Sequence, residues 1–452
     1  MKRNKLSLAI GASLLLPSVF INNIYAASPS IIIDGDQEDL YVSEGTKSNT
    51  GNTATYDASS NTITLNNFVG SSIKITSLEE ITINLVGDNV LDMATLDGNS
   101  IPQGITASNV NLTITGEGKL SVNQENLSGF ATSATVIRAN SITISQATLD
   151  LTAPTKTCLN SNNSWTSSAA NGNISINSGT VKLSCNVAMQ AENININGGD
   201  VEINGALSNV YSLSKNLTVS GGRLVVNGEN INLGSAMTFS GTVIFNGGST
   251  EVHGGQCGVG FTNLSDTAGA VGSFQMKGGE LQIDKADKGV CVDDASENSY
   301  IEFSGGTTVI NAKNRAAEIV YRSGENEKNI ILGNNLYFTP SDISVSMDYK
   351  DYSGVWEEYI YYLASNSNPA KSVIITDIEP EDDSDSATDK EEDKEEDKDE
   401  EISVPNTGLF TGKDNGLKAG GILFIATSAI TGISIVLAAI HRIFKKIKSK
   451  KF

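Results

Sequence analysis

Between residues 110 and 310 the chain alternates apolar and polar residues in short phrases that share one grammar. "VNLTITGEGKLSV", "SITISQATLDL", "GNISINSGTVKLS", "ENININGGDVEI", "KNLTVSGGRLVV", "AMTFSGTVIF", "SFQMKGGELQI" and "YIEFSGGTTVI" each set two or three apolar residues at alternate positions, turn tightly, and alternate again. A period of two means strands with one buried face. In the stretch Glu192 to Gly205, Ile194 and Ile196 point inward, Gly198 and Gly199 make the corner, and Val201 and Ile203 point inward again. Glycine supplies the positive φ that such a corner requires.

With the second turn residue as a marker, the corners fall at Gly118, Ala147, Gly179, Gly199, Gly222, Gly241, Gly279 and Gly306, at intervals of 19 to 38 residues. A unit of this size, repeated with insertions, predicts a solenoid of stacked rungs rather than a sandwich. Residues 27–376 are therefore expected to form a right-handed parallel β-helix. Its core would be a column of Ile, Val, Leu and Phe, and outward residues such as Asn193, Asn195 and Asn197 would stack as polar ladders. "SPSIIIDGD" and "TITLNNF" are expected to cap its N-terminal end, because solenoids hide their open edges. After Arg315 the grammar changes, and residues 335–378 gather six of the chain's twelve tyrosines with Trp356. Tyr349, Tyr352, Tyr359, Tyr361 and Tyr362 among them either plug the C-terminal end or offer rings on which sugars stack.

The two ends carry different patterns. Residues 1–26 hold Lys2, Arg3 and Lys5, an apolar run too short to span a bilayer, and small Ala26 as the expected cleavage site of a signal peptide. Residues 377–403 form an acidic run, sixteen acids against three lysines from Asp377 to Glu401, which cannot bury a core and is expected to be a disordered stalk. Then come Val404, Pro405, Asn406, Thr407 and Gly408, an apolar run over residues 420–440, and a basic tail over 441–452. The apolar run is long enough for a transmembrane helix, and the cationic tail is expected on its cytoplasmic side. This order resembles a sortase sorting signal, with Val404 where the usual form has Leu. The resemblance implies that a sortase-type transpeptidase cuts after Thr407 and joins it to the cell envelope, leaving the body at the extracellular face. A plain membrane anchor is the alternative.

Charge narrows the function. The chain carries a net −21, and residues 27–376 alone hold −18. Nucleic acid is excluded as a partner, since it binds basic surface. An anionic polysaccharide would need a divalent cation between like charges. Of the two histidines, His441 follows the apolar run and His253 is expected in a turn, so a Ser-His-Asp or histidine–metal site lacks material.

Cys257 and Cys291 both precede a repeat's strand, and stacking would bring them together. Cys158 and Cys185 would pair by the same logic. Buried free thiols are the alternative. The densest acids of the body, Asp284, Asp287, Asp293, Asp294 and Glu297, are a candidate calcium site, because calcium takes six to eight hard oxygens. Asp34, Asp36, Glu38 and Asp39 are a second acidic cluster. A solvated acidic surface is the simpler reading of each cluster.

Phrases such as "GITASNVNLTITGEGKLSVN" and the recurrent Gly-Gly corners, from Ile31 to Thr376, resemble the bacterial carbohydrate-binding domain family built on a calcium-containing right-handed β-helix. The resemblance implies binding of an acidic polysaccharide of the polygalacturonate type, with calcium as a bridge and no catalysis. The expectation is thus a surface-anchored, adhesin-like protein whose partner is a polysaccharide or cell-surface glycan. A polysaccharide lyase or glycoside hydrolase on the same fold is the alternative, with Lys285, Lys288 or Arg315 as the lyase's basic residue. A purely structural surface protein is the third.

Overall fold

A computed structural model describes residues 30–33, 45–49, 52–93, 104–123, 135–161, 172–208, 214–228, 234–261, 271–293, 295–321, 329–352 and 357–380. Ala26, the cluster Asp34 to Asp39, Trp356, the sorting pentapeptide Val404 to Gly408 and the apolar run 420–440 lie outside them. Among the described residues no helix is long and apolar enough to cross a membrane.

Ile194 stacks in register on Ile174 of the preceding rung and carries Leu217 of the next, while Ile196 does the same between Ile176 and Val219. The column continues through Val243, Phe274 and Ile301, all buried and all in parallel pairing. Phe245, Phe274 and Phe303 meet ring to ring at 5.8 and 5.4 Å. Val201 and Ile203 build a second column between Val181 and Leu183 on one side and Leu224 and Val226 on the other. A third face is made by Met237–Phe239, Cys257–Phe261, Lys288–Val292 and Arg315–Tyr321. The result is an all-β, right-handed parallel solenoid with its core enclosed by these faces.

The corners stack as tightly as the core. Gly199, Gly222, Gly248, Gly279 and Gly306 all have φ between +71° and +84°. A Cβ on Gly248 would lie 2.6 Å from the carbonyl oxygen of Gly222, and that oxygen already accepts the Ser249 amide at 2.9 Å. Glycine is therefore required here twice, by backbone conformation and by contact with the rung beneath.

One rung is displaced from its expected reading. In "AMTFSGTVIF" the first half, Met237–Phe239, belongs to the third face, and Thr242–Phe245 belongs to the first. The corner of this rung is Gly248 rather than Gly241, which changes the neighbouring intervals from 19 and 38 to 26 and 31 residues. The second-face strand that follows, Ser249–Gly254, points Thr250 rather than an aliphatic residue into the core, so its alternation is faint in sequence. Thr250 and Thr308 stand in a row with Leu224 and Leu281. Their buried hydroxyls have no hydrogen-bond partner among the described residues.

Both ends are closed by antiparallel pairing. Ser30–Ile33 lies against Ile73–Thr76, and Asn52–Asp57 pairs with Thr62–Asn66, which then begins the parallel stack on Glu80–Val86. At the other end Ser372–Thr376 covers Thr307–Asn311, while the hairpin Ser344–Asp351 with Glu357–Ser365 extends the third face. Tyr361 packs edge-on against Tyr321 over the end of the core. The late tyrosines are thus divided, some sealing the end and others, Tyr349 and Tyr352, left exposed.

Candidate carbohydrate-binding surface

Neighbouring strands in a sheet lie about 4.8 Å apart, so an outward residue repeats at that spacing along the solenoid. On the first face Asn216 donates its side-chain amide to Asn193 at 2.8 Å, and Asn193 donates to Asn173 at 2.8 Å. Asn197 donates to Asn177 at 2.9 Å. Asn193 both donates and accepts, so the ladder links successive rungs through neutral amides without charge.

The second face carries ion pairs across rungs. Lys119 reaches Asp150 at 2.7 Å, Lys182 reaches Glu202 at 3.2 Å, and Arg223 bridges Asp200 and Glu251 at 3.3 and 3.0 Å. Such exposed pairs contribute little to stability. Their consequence is a stripe of alternating charge facing solvent. His253 belongs to this stripe rather than to a turn. It lies in Ser249–Gly254, with Nδ1 2.6 Å from Asp284 Oδ1 and Nε2 3.8 Å from Glu251. The sequence offered little to place it, because the strand's inward Thr250 hides the alternation.

The acids of the expected calcium cluster are placed apart. Asp284 is taken by His253, Asp287 pairs with Lys313 at 3.0 Å, Glu297 is exposed in a turn, and Asp294 lies outside the described residues. Asp293 lies beside Cys257 and Cys291. Those two sulfurs are bonded to each other, as are Cys158 and Cys185, with Cα separations of 6.1 and 5.9 Å. Sulfurs held in a disulfide are not metal ligands. Among the described residues no three carboxylates bring their oxygens within 4.8 Å of one another. The described acids of the cluster therefore build no calcium cage among themselves.

Asp293 instead opens onto a groove of about 330 Å³ on the outer side of the third face, lined also by Lys288, Arg315, Glu318, Lys350 and Glu358. Lys288 and Arg315 are register partners on adjacent strands, which brings them together. Both are held by carboxylates. Lys288 and Arg315 pair with Glu318, the latter at 2.8 Å, and Arg315 also reaches Asp348 at 3.1 Å. The Arg315 guanidinium lies 4.5 Å from the ring centre of Tyr362. Burial, and then the hydrogen bond to Asp348, pushes the Tyr362 phenol above its ordinary value. A cation neutralised in this way is poorly suited to act as a lyase base. Lys285, the third basic residue of that expectation, has φ +57° in the corner after Glu280–Asp284. The groove's central residue, Glu318, left one sequence signal: a lone charge inside the apolar run "RAAEIVY".

A family described as carbohydrate-binding domain-containing protein matches residues 42–289, more than half of the chain. The chain belongs to that family. No curated protein and no solved structure matches it. The carbohydrate-binding domain takes in the asparagine ladder and the whole charged stripe from Lys119 to Asp284, and it ends one residue beyond Lys288. Arg315, Glu318, Lys350 and Glu358 therefore lie past the matched carbohydrate-binding domain. The membership points to binding rather than to catalysis.

Proposed function

We propose that the chain displays its carbohydrate-binding solenoid at the outer face of a cell envelope and holds a linear polysaccharide along the ladder faces. The observation that carries this reading is the coincidence of the family match with the stacked rungs. Outward groups that recur about every 4.8 Å are spaced close to the length of one pyranose unit. A chain of sugars aligned with the solenoid would then meet an amide or an ion pair at each unit. Individually weak contacts add along such a surface without any deep pocket.

The finer reading is an acidic polysaccharide of the polygalacturonate type. The net charge of −18 on residues 27–376 opposes a polyanion, and a calcium ion shared between glycan carboxylates and exposed acids would reverse that opposition. In this reading calcium is a bridge brought together by both partners, which accords with acids that build no cage of their own. Display rests on the terminal patterns: Ala26 for export, Val404 to Gly408 for a sortase-type transpeptidase, and residues 420–440 for the membrane. Retention of the full chain on a panel of immobilised acidic and neutral polysaccharides, with calcium and with chelator, tests the reading.

A further inference from the structure

The C-terminal hairpin turns one face of its two strands toward the core, and that face runs on past the core's edge. Register places Tyr349 opposite Tyr359 and Met347 opposite Tyr361. Tyr361 is buried against Tyr321, but Tyr349 is 49% exposed and Met347 43% exposed. Tyr349 and Tyr359 lie with ring centres 5.1 Å apart and planes at 53°. Their orientation is fixed from one side: Tyr359 donates its hydroxyl to Glu357 at 2.9 Å. A hydrogen bond with the same carboxylate raises the Tyr349 phenol above its ordinary value.

Tyr359 is half-buried against the core and Tyr349 stands exposed beside it. An aromatic ring left in water, yet oriented by a ring partner and a carboxylate, is costly for folding alone and suited to binding. We propose that the Tyr349–Tyr359 pair is a second sugar subsite, which takes an uncharged pyranose unit. The C–H face of such a ring carries slight positive charge and complements the negative face of a phenol. Asp351 and Glu357 are register partners on the same face, and their oxygens accept hydrogen bonds from sugar hydroxyls. The same two carboxylates repel a uronate, so charge selects a neutral ligand. The subsite lies beyond residue 289, where the family match ends. It rests on the carbohydrate-binding reading but needs no calcium.

The test uses the full chain in chelator with cellohexaose, xylohexaose and mannohexaose, followed by calorimetry. Binding of at least one of them by the parent, weakened about tenfold in Tyr349→Ala and largely kept in Tyr349→Phe, is the expected result. An unchanged melting temperature in Tyr349→Ala shows that the fold is intact. Equal binding by parent and Tyr349→Ala overturns the subsite, and so does no binding of any of the three. Calcium-dependent retention on an acidic polysaccharide is measured separately, so the ladder-face reading stands or falls on its own.

Discussion

His253 and Asp284 stand side by side on consecutive rungs, ring nitrogen to carboxylate oxygen, 2.6 Å apart. They occupy a row that elsewhere holds Asn204, Asn227 and Asn311. Asn227 donates to Asn204 at 2.9 Å in that row, so an amide fits each position. The double change His253→Asn with Asp284→Asn is expected to complete an asparagine ladder and leave stability within about 0.5 kcal/mol of the parent. Because Asp284 is committed to His253, Asp284→Asn alone should leave any calcium-dependent rise in melting temperature at its parental size. A lost calcium response in that variant would return Asp284 to the list of ligands.

The glycine corners make a sharper demand. Gly248→Ala must adopt a positive φ and push its methyl against the Gly222 carbonyl. The expected loss is roughly 1–3 kcal/mol or more, read from denaturant unfolding. An unchanged midpoint would mean that the rungs do not stack in the register described.

Thr250 and Thr308 offer the opposite sign. Each buries a hydroxyl that lacks a partner among the described residues, in a row of leucines. Valine has nearly the same shape without the polar group. Thr250→Val is expected to stabilise by about 1 kcal/mol, and Thr308→Val likewise, measured as a raised unfolding midpoint. A destabilised variant would show that the hydroxyl is hydrogen-bonded after all.

At the groove, Glu318 is 2% exposed and answers both Lys288 and Arg315. Glu318→Ala leaves two cations facing each other without their shared anion, and is expected to destabilise by about 3 kcal/mol. A loss below about 0.5 kcal/mol, the range of a surface change, would mean that the groove is solvated and the ion pairs are incidental.

Much of this architecture was legible because alternation and glycine are local signals. Ile194, Ile196, Val201 and Ile203 are buried on the inward side, as their spacing implied. At Thr250 the alternation fails, so the pattern points to a corner at Gly241 and a turn at His253, whereas the fold turns at Gly248 and carries His253 in Ser249–Gly254. The groove was illegible for another reason. It joins Lys288, Arg315 and Glu318 to Lys350 and Glu358, which reach it only when an antiparallel hairpin closes against a parallel stack. Nothing local in "SVSMDYKD" announces that pairing. The acidic run near Asp293 showed the converse: proximity in sequence, yet in the fold its described members go to different partners and different faces.

Binding of carbohydrate by the solenoid itself is measured most directly by equilibrium retention of the full chain on immobilised polysaccharides. Retention on an acidic polysaccharide in calcium, lost on chelation, is the predicted result. No retention on any acidic or neutral polysaccharide, with or without calcium, would contradict it.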